Sequence, residues 1–253
     1  MSAIQDNPAQ TDNIEKTKEA LSDVRKAFRL LWAYNKRVFN IVEHIRNRLG
    51  FDHYYTDNWL IPNHGGADFC AGWAWDALPL STIGWLALRP NKDSEENIAP
   101  RSGDIYNNPL AGDMLLHILL ISDSGFFVAK TGMNKNEPNV LSFAPPDKCQ
   151  SKLVLSVYVN DIDRNEGMNW LHRIFKPCLN ATKWDDPNTG GLAVKGVRRY
   201  SAVLMLEDVL DEVTLNEKIL WFKQEIETRL VVNLAEMSVQ DKNEVGALLA
   251  VDI

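Results

Sequence analysis

The stretch LSDVRKAFRLLWAYNKRVFNIVEHIRNRL, residues 21–49, is the most regular segment of the chain. Its apolar side chains recur every three or four residues, at Leu21, Val24, Phe28, Leu31, Val38, Val42, Ile45 and Leu49, and Asn35 is the polar member of the series. Residues three and four apart share one face of an α-helix, so the spacing predicts a single long amphipathic helix. Gly50 follows directly and predicts the C-terminal end of this helix.

The sequence also indicates where this helix begins and how wide its apolar stripe is. Asp12 and Glu15 have the spacing of a capping pair, so we expect the helix to begin near Asp12 or Thr17, after a flexible tail of residues 1–13. Trp32 and Phe39 widen the apolar stripe, which favours packing on a globular core over an isolated coiled coil.

Asn35 is the exception inside the stripe. A lone amide in an apolar seam needs a buried hydrogen-bond partner, or it marks the place where the helix meets another subunit. A homodimer through the N-terminal helix is therefore one expectation.

Composition and charge limit the class of protein. The chain has 253 residues, 45% of them hydrophobic, which is enough for a substantial core. Its net charge of −7 argues against a general cationic surface for nucleic acid. Cys70, Cys149 and Cys178 form no Cys-x-x-Cys pair, so neither a disulfide framework nor a structural zinc site is indicated. Without a secretory signal or an apolar run of ~20 residues, we expect a soluble, cytoplasmic protein that binds no membrane.

The rest of the chain predicts a sheet and a second long helix. Segments of strand character cover residues 81–88, 114–122, 152–159 and 200–207, and a hairpin over residues 123–130 adds another strand. A short helix is expected within residues 165–175. Thr214 and Glu217 resemble a capping box, and apolar residues then repeat at helical spacing from Leu215 to Leu234.

These segments together predict an α+β fold. Because the strands cluster instead of alternating with helices, we expect a mostly antiparallel sheet of about five strands, flanked by long N-terminal and C-terminal amphipathic helices. Residues 14–253 are expected to form a single α+β domain.

Aromatic residues are concentrated just after the first helix, between His53 and Trp75. Such side chains line pockets, stack on bases or anchor protein partners, and they also form secondary hydrophobic clusters. If the segment is a binding surface, Trp59 and His64, beside Gly65 and Gly66, are the first candidates.

Acidic residues follow three of the predicted strands, at Asp123, at Asp161 and Asp163, and at Glu207. Carboxylates gathered at one end of a sheet hold Mg²⁺ or Mn²⁺ for phosphodiester chemistry, because hard cations take oxygen ligands. In an antiparallel sheet, however, successive strands end at opposite edges. A metal-dependent nuclease or phosphotransfer enzyme is therefore the alternative, and it requires these four carboxylates to converge.

One further pattern involves Arg46, Asn47 and His53. Their spacing is similar to the arginine, polar residue and histidine motif of HEPN-type ribonucleases, in which the pair lies at a dimer interface and moves a proton. Here the spacing crosses Gly50, and the rest of the chain is too rich in strands for that all-helical fold. A solvated helix end explains these residues, since cations are favoured near a helix C-terminus.

The leading hypothesis from the sequence is a soluble, acidic accessory, regulatory or immunity-type protein that acts by binding a protein partner, with no cofactor. It rests on the long helical stripes, on the acidic balance and on the lack of an assembled catalytic motif such as Gly-x-Ser-x-Gly or a Walker loop. Whether the protein is also an enzyme is left open by the sequence.

Overall fold

The computed structural model describes residues 8–57, 82–91, 109–125, 143–164, 169–180, 188 and 194–234. In chain order, these residues form α1 (Pro8–Leu49), β1 (Asp52–Asp57), β2 (Thr82–Arg89), β3 (Met114–Ile121), β4 (Lys152–Asn160), α2 (Lys176–Asn180), β5 (Val197–Met205) and α3 (Glu212–Leu230). A π-helical turn, Trp170–Phe175, leads into α2, and a 3₁₀ turn, Leu206–Val209, leads from β5 toward α3.

The described residues divide into two compact units, residues 8–40 and residues 41–234. The first unit consists of the N-terminal part of α1. The second contains the end of α1, residues 41–49, together with the sheet and α3.

The sheet is an antiparallel meander in which the strand order follows the chain, β1-β2-β3-β4-β5. Leu86 lies opposite His117, which lies opposite Ser156, which in turn lies opposite Ser201. The side chains of β3 are buried along its whole length, so the sheet is covered on both faces. This arrangement confirms the predicted α+β fold with an antiparallel sheet and long helices at both ends of the chain.

The first face of the sheet is covered by the π-helical turn and α2. Leu88, Leu115 and Tyr158 pack there in one buried cluster with Trp170 and Phe175. Phe175 meets Tyr158 edge to face, with ring centroids 5.9 Å apart. Burial of three large aromatic side chains makes this cluster the main apolar contact of the first face.

The second face carries α3. Tyr200 of β5 stacks on Phe222 of α3 with ring centroids 5.9 Å apart. The buried residues of α3 recur at helical spacing and are Leu215, Ile219, Phe222, Ile226 and Leu230. One apolar stripe therefore fixes the helix on the sheet.

The last turns of α1, residues 41–49, contact the sheet and α3 within the second unit. Buried Arg89 donates from Nη1 to the carbonyl oxygen of Leu49 over 2.8 Å, which satisfies a carbonyl at the helix end. His44 lies 2.8 Å from Asn216 of α3 through Nε2 and Oδ1. Gly50 has a φ of +72°, as its predicted role at the helix end requires.

Several predicted boundaries differ from the observed ones. The first helix begins at Pro8, inside the segment expected to be a tail. Strand β1 lies in a segment for which the sequence predicts no strand, and β5 begins at Val197 instead of Tyr200. The capping residue of α3 is Asp211, whose Oδ1 accepts a hydrogen bond from the Thr214 backbone N–H over 2.9 Å, so Thr214 is not the cap. The hairpin residues 126–130 lie outside the described residues.

Candidate functional site

The four carboxylates of the predicted metal site lie at two ends of the sheet. Asp123 follows β3 and Glu207 follows β5, beside the start of β4. Asp161 and Asp163 follow the end of β4, where β3 and β5 begin. The structure therefore separates the four side chains into two pairs, because successive strands run in opposite directions.

The contacts of these carboxylates hold loops and strands together. Asp161 pairs with Arg198 at 2.7 Å, and both side chains are partly exposed. Asp163 accepts a hydrogen bond from the Ala111 backbone over 2.9 Å, and Asp123 accepts one from the Gly125 backbone over 2.8 Å. Among the described residues, no group of three or more His, Cys, Asp and Glu side chains could hold a metal ion.

The predicted binding residues Trp59 and His64 lie outside the described residues. The part of the aromatic segment that the structure describes is β1, where Tyr54 packs against the cluster on the first face. Tyr55, the next residue, is 42% exposed. Asp52, His53 and Thr56 are exposed as well, so β1 buries little of its surface at the edge of the sheet.

Arg46 and His53 belong to different elements, α1 and β1, on either side of Gly50. Arg46 lies 3.9 Å from Glu43 on the same helix, and its Nη2 lies 3.5 Å from the Oδ1 of Asn47. The structure thus separates the two residues by a helix end, as the position of Gly50 predicts.

Cys149 and Cys178, the two cysteines that the structure describes, are not joined in a disulfide. Cys178 is buried in the cluster on the first face. Burial and the neighbouring carboxylate of Asp123 raise the pKa of the Cys149 thiol, and its Sγ lies 3.5 Å from the carbonyl oxygen of Ala144. A raised pKa disfavours the thiolate of Cys149, which is the form in which a cysteine acts as a nucleophile.

A row of polar side chains crosses the centre of the first face. His117, Ser156 and Ser201 occupy opposing positions on β3, β4 and β5, and all three are buried. The hydroxyl groups of Ser156 and Ser201 lie 2.8 Å apart. Asn188 bonds to both the backbone N–H and the carbonyl oxygen of Ser201, each over 2.7 Å. These contacts satisfy buried polar groups and hold the strands in register.

Exposed apolar side chains are concentrated on the N-terminal part of α1. Leu21 is 52% exposed, Phe28 is 64% exposed and Trp32 is 62% exposed. We call the set Leu21, Val24, Phe28, Leu31 and Trp32 the N-terminal stripe. Its members share one face of the helix, and the same spacing continues into buried positions such as Val42 and Ile45.

Asn35 stands where exposure ends. Its Oδ1 is enclosed and receives no hydrogen bond from any residue that the structure describes. Four positions earlier Leu31 is partly exposed, and three positions later Val38 is fully buried. The amide is thus a polar group at the junction of the exposed and the buried parts of the seam.

The helix around the N-terminal stripe is strongly basic, although the whole chain is acidic. Residues 24–39, VRKAFRLLWAYNKRVF, contain five Lys and Arg residues and no Asp or Glu. Arg25, Arg29 and Lys36 lie along one side of the stripe, as their helical spacing requires, and all three are exposed. The ammonium group of Lys36 lies 5.4 Å from the ring centroid of Trp32, within range of a cation–π contact.

The sequence identified the helix but not which part of its stripe is free. The basic run without acidic residues was a visible signal for a surface-exposed segment, since such a run is not compatible with burial. The sequence instead predicts the binding site in the aromatic segment after α1, at Trp59 and His64.

Within the ranges that the structure describes, none of the helices is long and apolar enough to cross a membrane. Comparison of the chain with curated proteins and with solved structures found no match. A family model described as PM0109 matches residues 14–231, which include most of α1, the whole sheet and α3, and the chain belongs to this PM0109 family.

Proposed function

We propose that this protein is an accessory or regulatory protein, of the kind that includes immunity proteins, and that it acts by binding a protein partner through the N-terminal stripe. The observation that carries the proposal is the exposure of Phe28 and Trp32, both above 60%, in the middle of a regular apolar series. Large aromatic side chains in contiguous exposed patches are typical of protein interfaces.

The energy available at the stripe supports binding. Complete burial of one large apolar side chain contributes about 1.5–3 kcal/mol, so a few anchors suffice for a specific complex. The stripe has several such side chains within three turns of helix. An isolated helix is only marginally stable in water, so a partner would also stabilise this part of α1.

Helix α3 offers a matched control surface. Leu220 and Trp221 are exposed there, at 56% and 41%, but acidic Glu217 and polar Gln224 flank them instead of further apolar residues. The two sites therefore carry the same class of side chain, and only the stripe on α1 is part of a continuous apolar series.

A comparison of two double variants tests the proposal. The tagged chain is expressed at its natural level, and the stoichiometric complexes that it retains are measured for the parent, for Phe28→Glu with Trp32→Glu, and for Leu220→Glu with Trp221→Glu. We expect the first pair of substitutions to remove the complex and the second pair to leave it intact.

The far-ultraviolet circular dichroism of each variant shows whether it is folded. The proposal is wrong if the folded Phe28→Glu and Trp32→Glu variant retains the same complexes as the parent, or if both double variants lose them equally.

A further inference from the structure

We infer that the partner of the N-terminal stripe is a second copy of this chain, paired along α1 as a parallel two-stranded coiled coil. The inference rests on the proposed function, because it names the occupant of the same stripe. In heptad terms, Leu21, Phe28 and Asn35 occupy a positions, and Val24 and Leu31 occupy d positions. This alternation of three and four residues is the pattern that such pairs require.

Asn35 favours a second copy over an unrelated helix. In a parallel pair, the a positions of the two helices face each other, so the amide of one copy reaches the amide of the other. The Oδ1 of Asn35 is enclosed and receives no hydrogen bond within the described residues, although the residue as a whole is only partly buried. Rotation of the side chain toward a second copy would give two amides that satisfy each other. A single asparagine at an a position is also the known device for fixing register and a two-stranded state.

The positions beside the seam are complementary in size. In a parallel pair, each g residue meets the e residue five positions later on the other helix. Ala27 would face Trp32 of the second copy, so the smallest side chain lies against the largest. Ala20 would face Arg25 in the same way, so no two cations are placed in direct contact.

The exposed area is of the size that a dimer needs. Phe28 and Trp32 are 64% and 62% exposed, and aromatic side chains bury ~150–250 Å² each when covered. Two copies would therefore remove roughly 500 Å² of aromatic surface from water. Leu21, Val24 and Leu31 of each copy bring the total toward the ~1,000 Å² of a specific interface.

The charge of the helix gives the dimer a signature. Each copy brings the five basic residues of the 24–39 segment, and these residues repel one another at long range. Added salt screens that repulsion, so the dimer should tighten as salt rises. An acidic protein or an anionic lipid surface on the same stripe would bind more weakly as salt rises.

The mass in solution tests the inference on the purified full chain. Sedimentation equilibrium across a concentration series should give twice the monomer mass of 28.7 kDa. Phe28→Glu should raise the dissociation constant by about 30-fold or more, as loss of a central anchor does. The matched control Leu220→Glu should leave the dissociation constant unchanged.

The direction of the helices is tested by cysteines introduced on α1. The d positions of a parallel pair face each other, so Val24→Cys should form a disulfide between two copies under mild oxidation. Asp23→Cys is the control, since its side chain is 75% exposed and occupies a c position on the outer surface. The same three native cysteines are present in both variants.

The outcomes separate this inference from the proposed function. A monomeric mass at every concentration, or a dimer that loosens with salt and forms no disulfide at position 24, overturns the inference. If the chain is monomeric and Phe28→Glu with Trp32→Glu still removes a cellular complex, a different protein occupies the stripe and the proposed function stands. If that double variant retains every complex, the proposed function fails as well.

Discussion

His117 and Asn35 are two polar side chains on otherwise apolar surfaces, and their surroundings give them different roles. His117 lies in the middle of β3 with its ring 4.7 Å from that of Phe175, and burial lowers its pKa to about 3. Asn35 lies at a junction where one face of α1 changes from exposed to buried. The sequence shows Asn35 as a polar exception in an apolar series, but it could not show which part of that series is buried within the chain. That difference depends on tertiary contacts between residues far apart in the sequence.

The buried imidazole should make stability depend on pH. Because the pKa of His117 falls from 6.5 to about 3 on folding, the unfolded chain binds one more proton between these values, and the free energy of unfolding decreases as pH falls below 6.5. The loss at pH 5 should be about 2 kcal/mol. In urea unfolding at pH 7 and pH 5, His117→Leu should lose this part of the pH dependence, and the exposed-site control His53→Gln should keep it. Equal pH dependence in parent and His117→Leu would contradict the argument.

At the scale of elements, apolar runs were predicted well and polar strands were not. Strands β2, β3 and β4 follow continuous apolar segments, and their predicted limits agree with the observed ones within one residue. Strand β1, DHYYTD, has little apolar character because it lies at the edge of the sheet and buries only part of its surface. Strand β5 begins with Val197 and two arginines, and because this start is charged, the prediction omitted the first three residues of the strand. Polar residues become part of a strand because of their pairing and burial in the fold, and apolar patterning in the sequence does not show this.

The ion pair between Asp161 and Arg198 connects the end of β4 to the start of β5. Arg198 also donates to the carbonyl oxygen of Leu230 at the C-terminal end of α3, so the guanidinium has a second role. The side chains of Arg198 and Asp161 are 40% and 33% exposed, so solvent weakens their ion pair. Asp161→Asn should therefore lower the free energy of unfolding by less than ~1 kcal/mol. Thermal unfolding with and without added Mn²⁺ measures this effect. A large Mn²⁺-dependent stabilisation of the parent, lost in Asp161→Asn, would instead support the metal-site alternative.

For the whole molecule, net charge and composition give average properties but do not show where the charged and exposed apolar residues lie. The chain carries −7 overall, yet residues 24–39 combine five basic residues with the largest concentration of exposed apolar side chains in the part of the chain that the structure describes. The regular apolar spacing is visible in the sequence, yet Ile45 in this series is buried and Phe28 is exposed. Helical periodicity shows that one face of the helix is apolar, but what packs against that face depends on the folded structure. The candidate interface therefore required the structure, although all of its residues belong to the first predicted element.

Pairing of two copies should also appear as a change in apparent stability. Binding that favours the folded state raises the unfolding midpoint with concentration, by mass action. We expect the thermal midpoint of the part of α1 that contains the stripe, followed by far-ultraviolet circular dichroism, to rise with protein concentration in the parent. In Phe28→Glu the midpoint should not depend on concentration. A midpoint that is constant in the parent would argue against pairing at these concentrations.

The meander order of the sheet has a consequence for the newly made chain. Each of the described strands pairs with the described strand that precedes or follows it in the chain, so the sheet can grow strand by strand as the ribosome releases it. Helix α3, which packs on β5, is translated after the five described strands. Until α3 is added, the side chains of β5 that it covers, Tyr200 among them, are exposed to water. We therefore expect a chain that ends before residue 212 to bind chaperones that the full chain does not.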